Sequence, residues 1–473
     1  MNRNNIWIHI GLAVTFVMLA AVFGQIERWK TALRGPDISY PTRTSQPVKP
    51  SGLPGKNRPE VNVRFKPGVS ADRIRSIVAA NHDHIDDNIE SVNGLVLVDD
   101  LDHADAVSVA KQYAAMTDLV LYAEPNYQIN LDDPTQKESL NDGVIRSSFA
   151  HPNDPQFGDQ WGLNNSGQDG GKNGADIKAL FAWEKQKGSD KVVVAVLDTG
   201  VDFTHTDLRE NMWIRPANVP QYTDDDLGTF NDLNGFNGTD AIADPMDDNG
   251  HGTHCAGIIG AEGDNGEGIV GVNWHVKIMP LKFLGRGGFG STDDAIEAIN
   301  YAIDRKKHGV NIRIISASWG STQYSKALED TIRAAGDAGI LFVAAAGNDS
   351  SNNDSRHHYP SDYDLPNVIS VAALDRNDQL ASFSNYGVKS VQIAAPGKDI
   401  LSTWLNDDYR DASGTSMATP FVSGVAALVV ANEPNITMAK LRERLLRSVD
   451  KIDGLKDKIA TGGRIDAAKA LGN

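Results

Sequence analysis

The chain has 473 residues, a formal net charge of −17 at pH 7 and one cysteine. That length exceeds an ordinary single domain, and the acidic balance argues against a nucleic-acid partner and for a solvated acidic surface with some metal ligands. A lone cysteine excludes an intramolecular disulfide, so an exported form would depend on its core and on bound ions for stability.

Residues 6–24 are predominantly apolar and follow a short start that carries Arg3. A run of about 19 residues suits a secretory signal or a short membrane anchor. Residues 1–30 are therefore expected to direct export, to a secreted, periplasmic or cell-surface location, with a membrane tether through 6–24 if the segment is retained. Residues 31–59 carry Pro, Gly, Ser and Thr without an apolar period and read as a flexible linker. Residues 60–130 form a small domain. Val61, Val63 and Phe65 alternate as a strand, and Ile74, Ile77 and Val78 give Ala71–Asn81 a helical period. A strand over Val92–Asp99, a helix over Ala104–Met116 and a strand over Leu119–Ala123 follow. With one short extra strand, this series makes an α+β ferredoxin-like sandwich. Residues 131–152 are polar and poor in structural signals, hence easily cut.

From residue 153 to the end the pattern is α/β. Val192–Leu197 is continuously apolar and β-branched, as in a parallel strand buried on both faces, and it stops at Asp198-Thr199-Gly200. Asn249-Gly250-His251-Gly252 precedes a small apolar stretch, Thr253–Gly260, which places His251 at a helix N-terminus. Ile340–Ala346 is a second buried strand, ending at Gly347-Asn348. Gly414-Thr415-Ser416 then opens a long buried helix, Met417–Val430, with Pro420 suited to its first turn.

An acid, a base and a hydroxyl thus follow in the order Asp198, His251, Ser416, each at a strand end or helix start. A serine hydroxyl needs a positioned base to take its proton, and a carboxylate to orient that base and stabilise the imidazolium. The Asn348 amide and the Ser416 backbone N–H would face the oxyanion. Taken singly, each residue has a plainer reading as a turn former or cap; their coincidence carries the assignment. His254 competes with His251 but would face inward as a packed histidine. A zinc pair at His251 and His254 lacks a third ligand and leaves Ser416 unexplained. Cys255 reads as a small buried apolar residue.

The stretches Asn249–Gly257 and Gly414–Pro420, with Asp198 ahead of them, resemble the subtilisin-like serine peptidases from about Asn153 onward. The resemblance implies a three-layer α/β domain with a mostly parallel central sheet, peptide-bond hydrolysis by Asp198, His251 and Ser416, and Asn348 as oxyanion donor. It also implies that a protein or peptide substrate lies as an added strand between Gly288-Phe289-Gly290 and Ser318-Trp319-Gly320. Trp319 either lines an apolar pocket there or packs behind the strand; the expected cleavage preference is broad or apolar. Calcium is the implied cofactor. Its ligands would be Asp154, Asp207, the Asn265 side chain and the carbonyls of Glu262, Glu267 and Ile269, all hard oxygen donors. A second site in the insert Thr223–Asn249, with Asp240, Asp244 and Asp247, is opposed by Ile242 and Met246 where oxygens would be wanted. The domain at 60–130, ending Tyr122-Ala123-Glu124-Pro125-Asn126-Tyr127, resembles the family's inhibitory propeptide, an intramolecular inhibitor to be cut off between Asn130 and Asn153; an unrelated binding module is the alternative. A monomer is the default. Two other readings are a peptide-binding scaffold without activity, which the complete residue set opposes, and an ester hydrolase, whose G-x-S-x-G elbow is absent.

Overall fold

The computed structural model describes residues 59–131, 135–137, 152–224, 226, 228–239 and 244–472, all within one unit spanning Gly52–Asn473. The apolar segment 6–24, nearly all of the linker, and most of 131–152 lie outside the described residues, as do Asp240 and Ile242.

The first part is a four-stranded antiparallel sheet with two helices: β1 (Glu60–Phe65), α1 (Ala71–Ala80), β2 (Asp83–Asn88), β3 (Leu95–Asp100), α2 (Ala106–Ala114) and β4 (Val120–Pro125), in the order β2-β3-β1-β4. Ser70 and Asp105 start the helices by accepting from Arg73 N and Ser108 N. Val61, Val63, Phe65, Ile74, Val98 and Tyr113 form its core. The extra strand is β2, whose Asp-rich lettering hides it in the sequence; its buried Asp83 accepts the Tyr113 hydroxyl at 2.6 Å. Two short strands follow, β5 (Gln128–Asn130) and β6 (Thr135–Lys137).

The larger part is built on β7 (Gly188–Asp198), where the continuous apolar run fills two cores at once. Val192, Val194 and Val196 face one core, while Val193, Ala195 and Leu197 face the other. That division explains why no polar residue interrupts the run. A two-residue ladder of β8 (Thr223–Asp224) and β9 (Gly228–Thr229) stands apart from the main sheet. The sheet's other members are β10 (Phe236–Asn237), β11 (His275–Lys282), β13 (Ile312–Ala317), β14 (Leu341–Ala345), β15 (Val368–Leu374), β16 (Ile393–Pro396), β19 (Val449–Lys451) and β20 (Gly463–Ile465). Among the described residues the order is β10-β11-β7-β13-β14-β15-β16-β20-β19, parallel except for the last pair. Strands β12 (Phe289–Ser291), β17 (Ile400–Trp404) and β18 (Asp408–Ser413) lie outside it.

After α3 (Ala179–Trp183), helix α4 (His251–Gly260) packs on one face of the sheet, and α5 (Thr292–Lys307) and α6 (Lys326–Asp337) pack on the other. Helix α7 (Thr415–Asn432) joins α4, and α8 (Met438–Arg447) and α9 (Ala467–Leu471) complete that layer. The three-layer, mostly parallel α/β arrangement expected from the sequence is present.

The small sheet is joined to the helices beneath it by polar caps as well as apolar contacts. The Glu124 carboxylate accepts from Ser325 Oγ, Lys326 N and Ala327 N at 2.7–2.9 Å, which caps α6. Asn126 Oδ1 accepts Asp293 N, and the Tyr127 carbonyl accepts Thr292 N, both at the start of α5.

Candidate active site

The parallel sheet delivers Asp198 at the carboxyl end of β7, the edge where open α/β sheets build sites. The chain must then turn at once against the start of α4, and glycine makes this possible. Gly200 has φ +99°, and a Cβ on Gly252 would lie 2.0 Å from the Gly200 carbonyl oxygen. This close approach sets His251 Nδ1 2.7 Å from Asp198 Oδ1, with the imidazole 1 % exposed and the carboxylate 0 %. Thr199 N donates to the same carboxylate oxygen at 2.8 Å.

Asp247 holds the first turn of α4. Its carboxylate accepts from Asn249 N, Gly250 N, Thr253 N, Thr253 Oγ1 and Thr199 Oγ1 at 2.6–3.0 Å. Both of its oxygens thus serve protein donors that shape this turn. Asp244 accepts Asn231 Nδ2. An Asp in an Asx-rich insert looks alike in sequence whether it binds an ion or caps a helix.

Ser416 is the second residue of α7, and its hydroxyl donates to the Ser318 carbonyl at 3.0 Å. Pro420 is not in the first turn, as the sequence led us to expect, because the helix already begins at Thr415; it is the sixth helical residue. A proline there lacks the N–H that would bond the carbonyl four residues back, that of Ser416. Other groups take the vacated place: Ser318 Oγ donates to the Ser416 carbonyl at 2.8 Å and Cys255 Sγ at 3.5 Å. Cys255 is fully buried and its thiol pKa is raised by desolvation, so it is no nucleophile. Its role in holding the nucleophile's backbone has no signature in the sequence.

Asn348 enters from the turn after β14. Its side-chain oxygen accepts Thr415 N at 2.8 Å and Thr415 Oγ1 at 3.0 Å. These bonds orient the amide and leave Nδ2 buried with no partner among the described residues. Orphan buried donors are costly, and this one stands at the start of the helix that carries Ser416. His254 is buried away from the chemistry, with Nε2 shared between the Ile400 and Arg410 carbonyls at 3.1 and 2.9 Å. Burial lowers its pKa to about 4.

Two edge segments border this centre, and a strand of the same chain lies between them. β5 pairs antiparallel with β12, setting Asn130 opposite Phe289 and Ile129 opposite Gly290. Leu131 N donates to the Gly288 carbonyl at 2.9 Å, and Asn130 bridges Gly320. A Cβ on Gly290 would meet the Phe283 carbonyl oxygen at 2.3 Å, so the edge needs glycine there. Beyond this segment, β6 pairs with β18 on the approach to Ser416. Ile129 is 2 % exposed and belongs to the apolar cluster of the α5–α6 face. Trp319 packs behind the strand: it is 0 % exposed, donates Nε1 to the Leu197 carbonyl and meets the Phe283 ring at a 59° tilt. Its side chain shares the apolar cluster that also holds Ile129 of β5.

The expected calcium ligands converge in part. Asp154 Oδ2 accepts Asp264 N at 2.9 Å, while its Oδ1 is buried without a partner among the described residues. Asp207 accepts Ile269 N, Asn265 Nδ2 and the Tyr409 hydroxyl at 2.8–3.2 Å. Burial, with Asp154 nearby as a smaller contribution, raises the Asp207 pKa to about 7. Glu262 N donates to the Asp207 carbonyl, and Glu267 N to Asn265 Oδ1. Two buried carboxylates from separate segments, one with an orphaned oxygen, meet the 262–269 loop and fit a hard cation.

Residues 189–464 match the subtilase family. The chain is 36 % identical over 337 residues to the thermophilic serine proteinase of Bacillus sp. strain AK1, covering 71 % of this chain and 69 % of that protein. It is 39 % identical over 303 residues to the cell wall-associated protease of Bacillus subtilis strain 168, covering 63 % of this chain and 30 % of the relative. With subtilisin-like protease 1 of Plasmodium vivax it shares 34 % over 321 residues, half the length of that relative. Among solved structures, fervidolysin from Fervidobacterium pennivorans, described as a keratinolytic enzyme related to subtilisin, superposes with a TM-score of 0.68 at 25 % identity. That superposition covers 88 % of this chain and 61 % of the neighbour.

Proposed function

The chain belongs to the subtilase family, a family of serine endopeptidases, and on that premise we propose that it is an exported endopeptidase made as a self-inhibited zymogen. In this reading His251 takes the Ser416 hydroxyl proton as Oγ attacks the scissile carbonyl, and Asp198 stabilises the imidazolium. The tetrahedral oxyanion is met by the free Nδ2–H of Asn348 and by the Ser416 N–H. Collapse expels the amine, which takes the proton from His251. The acyl-enzyme is then hydrolysed by water that His251 activates in turn.

The observation that carries this reading is β5, which occupies the groove between Gly288–Gly290 and Gly320 as a peptide substrate would. Residues 60–130 act as an intramolecular inhibitor, with Glu124 and Asn126 clasping the helices beside the groove. The buried Ile129 supports an apolar preference at the position it fills. Asp154, Asp207, Asn265 and the carbonyls of Glu262, Glu267 and Ile269 would hold calcium as a structural crosslink between the start of the domain and the α4 loop. The cell wall-associated relative and the apolar segment 6–24 support export.

The test is intact mass and N-terminal sequencing of the chain beside its Ser416→Ala variant, both expressed with calcium. The parent should lose the segment ending between Asn130 and Asn153, and the variant should keep it. If both stay full-length, self-processing is rejected.

A further inference from the structure

Where the small sheet meets α5, carboxylates converge from both sides. Asp87 lies on β2 and Glu90 just after it, Asp224 and Asp226 lie at the β8–β9 turn, and Glu297 lies on α5. One oxygen each from Asp87, Asp224 and Asp226 lies within 4.8 Å of the others. That span is about twice a calcium–oxygen distance of ~2.4 Å. Glu297 is 3 % exposed and shares a hydrogen bond with Asp87, and no amide or hydroxyl among the described residues donates to either of its carboxylate oxygens. Glu90 abuts Asp224 in the same manner.

Several neutral donors from the described residues reach the cluster. Asn88 Nδ2 donates to Asp226 at 2.6 Å, the Tyr222 hydroxyl to Asp224 at 3.4 Å, Asp226 N to Asp224 at 2.8 Å, and Asn300 Nδ2 to Glu90. The Arg305 guanidinium, over the Tyr222 ring, is taken by Asp232 and Asp304. Burial and the neighbouring carboxylates raise the pKa values of Asp87, Glu90 and Glu297. Two acids facing one another at a buried interface require a cation or a shared proton between them.

We propose that a divalent cation of the calcium class binds between Asp87, Asp224 and Asp226, beside the Glu297 carboxyl that faces Asp87, and fastens the small sheet to the larger domain. All the ligands are hard oxygens, which excludes a soft-metal preference. Asp224 and Asp226 belong to the insert considered in the sequence, but the ligand set is different, and Asp87 comes from the opposite side of the interface. The regulatory meaning, that inhibition depends on calcium, rests on residues 60–130 being the inhibitory propeptide; the site itself does not.

The test uses the full chain carrying Ser416→Ala, dialysed against calcium, with bound ions counted by emission spectrometry. Asp224→Asn and Asp87→Asn in that background should each lose one ion per chain and keep the one at Asp154 and Asp207. An unchanged count in both variants, with circular dichroism matching the parent, overturns the proposal in favour of a shared proton. Should either variant fail to fold, terbium decides, since Tyr222 is an antenna at this site and not a ligand. Terbium emission excited through tyrosine should fall in Tyr222→Phe, leaving the part sensitised by Tyr409 at the other site. No fall rejects the site. Whether the chain with Ser416 intact removes 60–130 is read separately on a gel, so failure of the propeptide reading cannot be mistaken for failure of the metal site.

Discussion

The helices that carry His251 and Ser416 are both buried for most of their length, yet their N-termini are finished in opposite ways. At α4 the Asp247 carboxylate accepts three backbone N–H groups and two hydroxyls, so that end is closed. At α7 no side chain of the capping residue Gly414 serves; Asn348 reaches in, bonds Thr415 through its oxygen and keeps Nδ2 unused. The difference suits the roles proposed for the two ends. A base has to be held in one orientation throughout the reaction. A nucleophile needs donors reserved for charge that exists only in the transition state.

The largest effect should come from the open end. Asn348→Ala is expected to lower kcat about 100–1000-fold, the range found for an oxyanion donor in a subtilisin, with KM little changed. Stability should fall by about 1 kcal/mol, because the Thr415 N–H and hydroxyl lose their acceptor even as a buried orphan donor disappears. A loss of stability with kcat intact would make the amide structural and erase the contrast. Next comes the closed end, through His254. Its folded pKa of about 4 lies below the ordinary 6.5, so its neutral form stabilises the fold fully above pH 6.5. That contribution drains away as pH falls toward 4 and amounts to roughly 3 kcal/mol. Denaturant midpoints of the Ser416→Ala chain from pH 7 to 4 should fall more steeply than those of the same chain with His254→Gln; parallel curves would refute this. The smallest effect is expected at Ser318→Ala, which strips the hydroxyl from the Ser416 carbonyl and should cost about 1 kcal/mol in thermal unfolding. A neutral result would mean that Cys255 alone suffices opposite Pro420.

Much of this was legible in the sequence because burial writes itself in apolar letters. Val192–Leu197 had to be a strand between two cores, and Met417–Val430 had to be a buried helix; Asp198, His251, Asn348 and Ser416 stand at the ends of such elements. Polar roles were not legible, since the same letters serve several of them. Asp247 caps a helix where an ion was considered, and Asp83-His84-Ile85-Asp86-Asp87-Asn88 is a strand whose acids find partners only in the folded chain. Trp319 could not be assigned to pocket or core, because the face an edge segment buries depends on neighbours distant in sequence. The second role of Pro420, freeing a carbonyl for Ser318 and Cys255, depends on a helix boundary displaced by two residues.

The strand in the groove is continuous with the chain whose groove it fills, and this fixes how its grip depends on dilution. While the connection lasts, β5 faces its partner at an effective concentration set by the intervening chain, about millimolar for a short flexible linker, whatever the amount of protein present. Cleavage beyond Leu131 turns that encounter into an ordinary two-body association. Under the zymogen reading proposed above, the contacts that silence the molecule in a crowded compartment would then fail as it spreads into a larger volume, without any change in the contacts themselves.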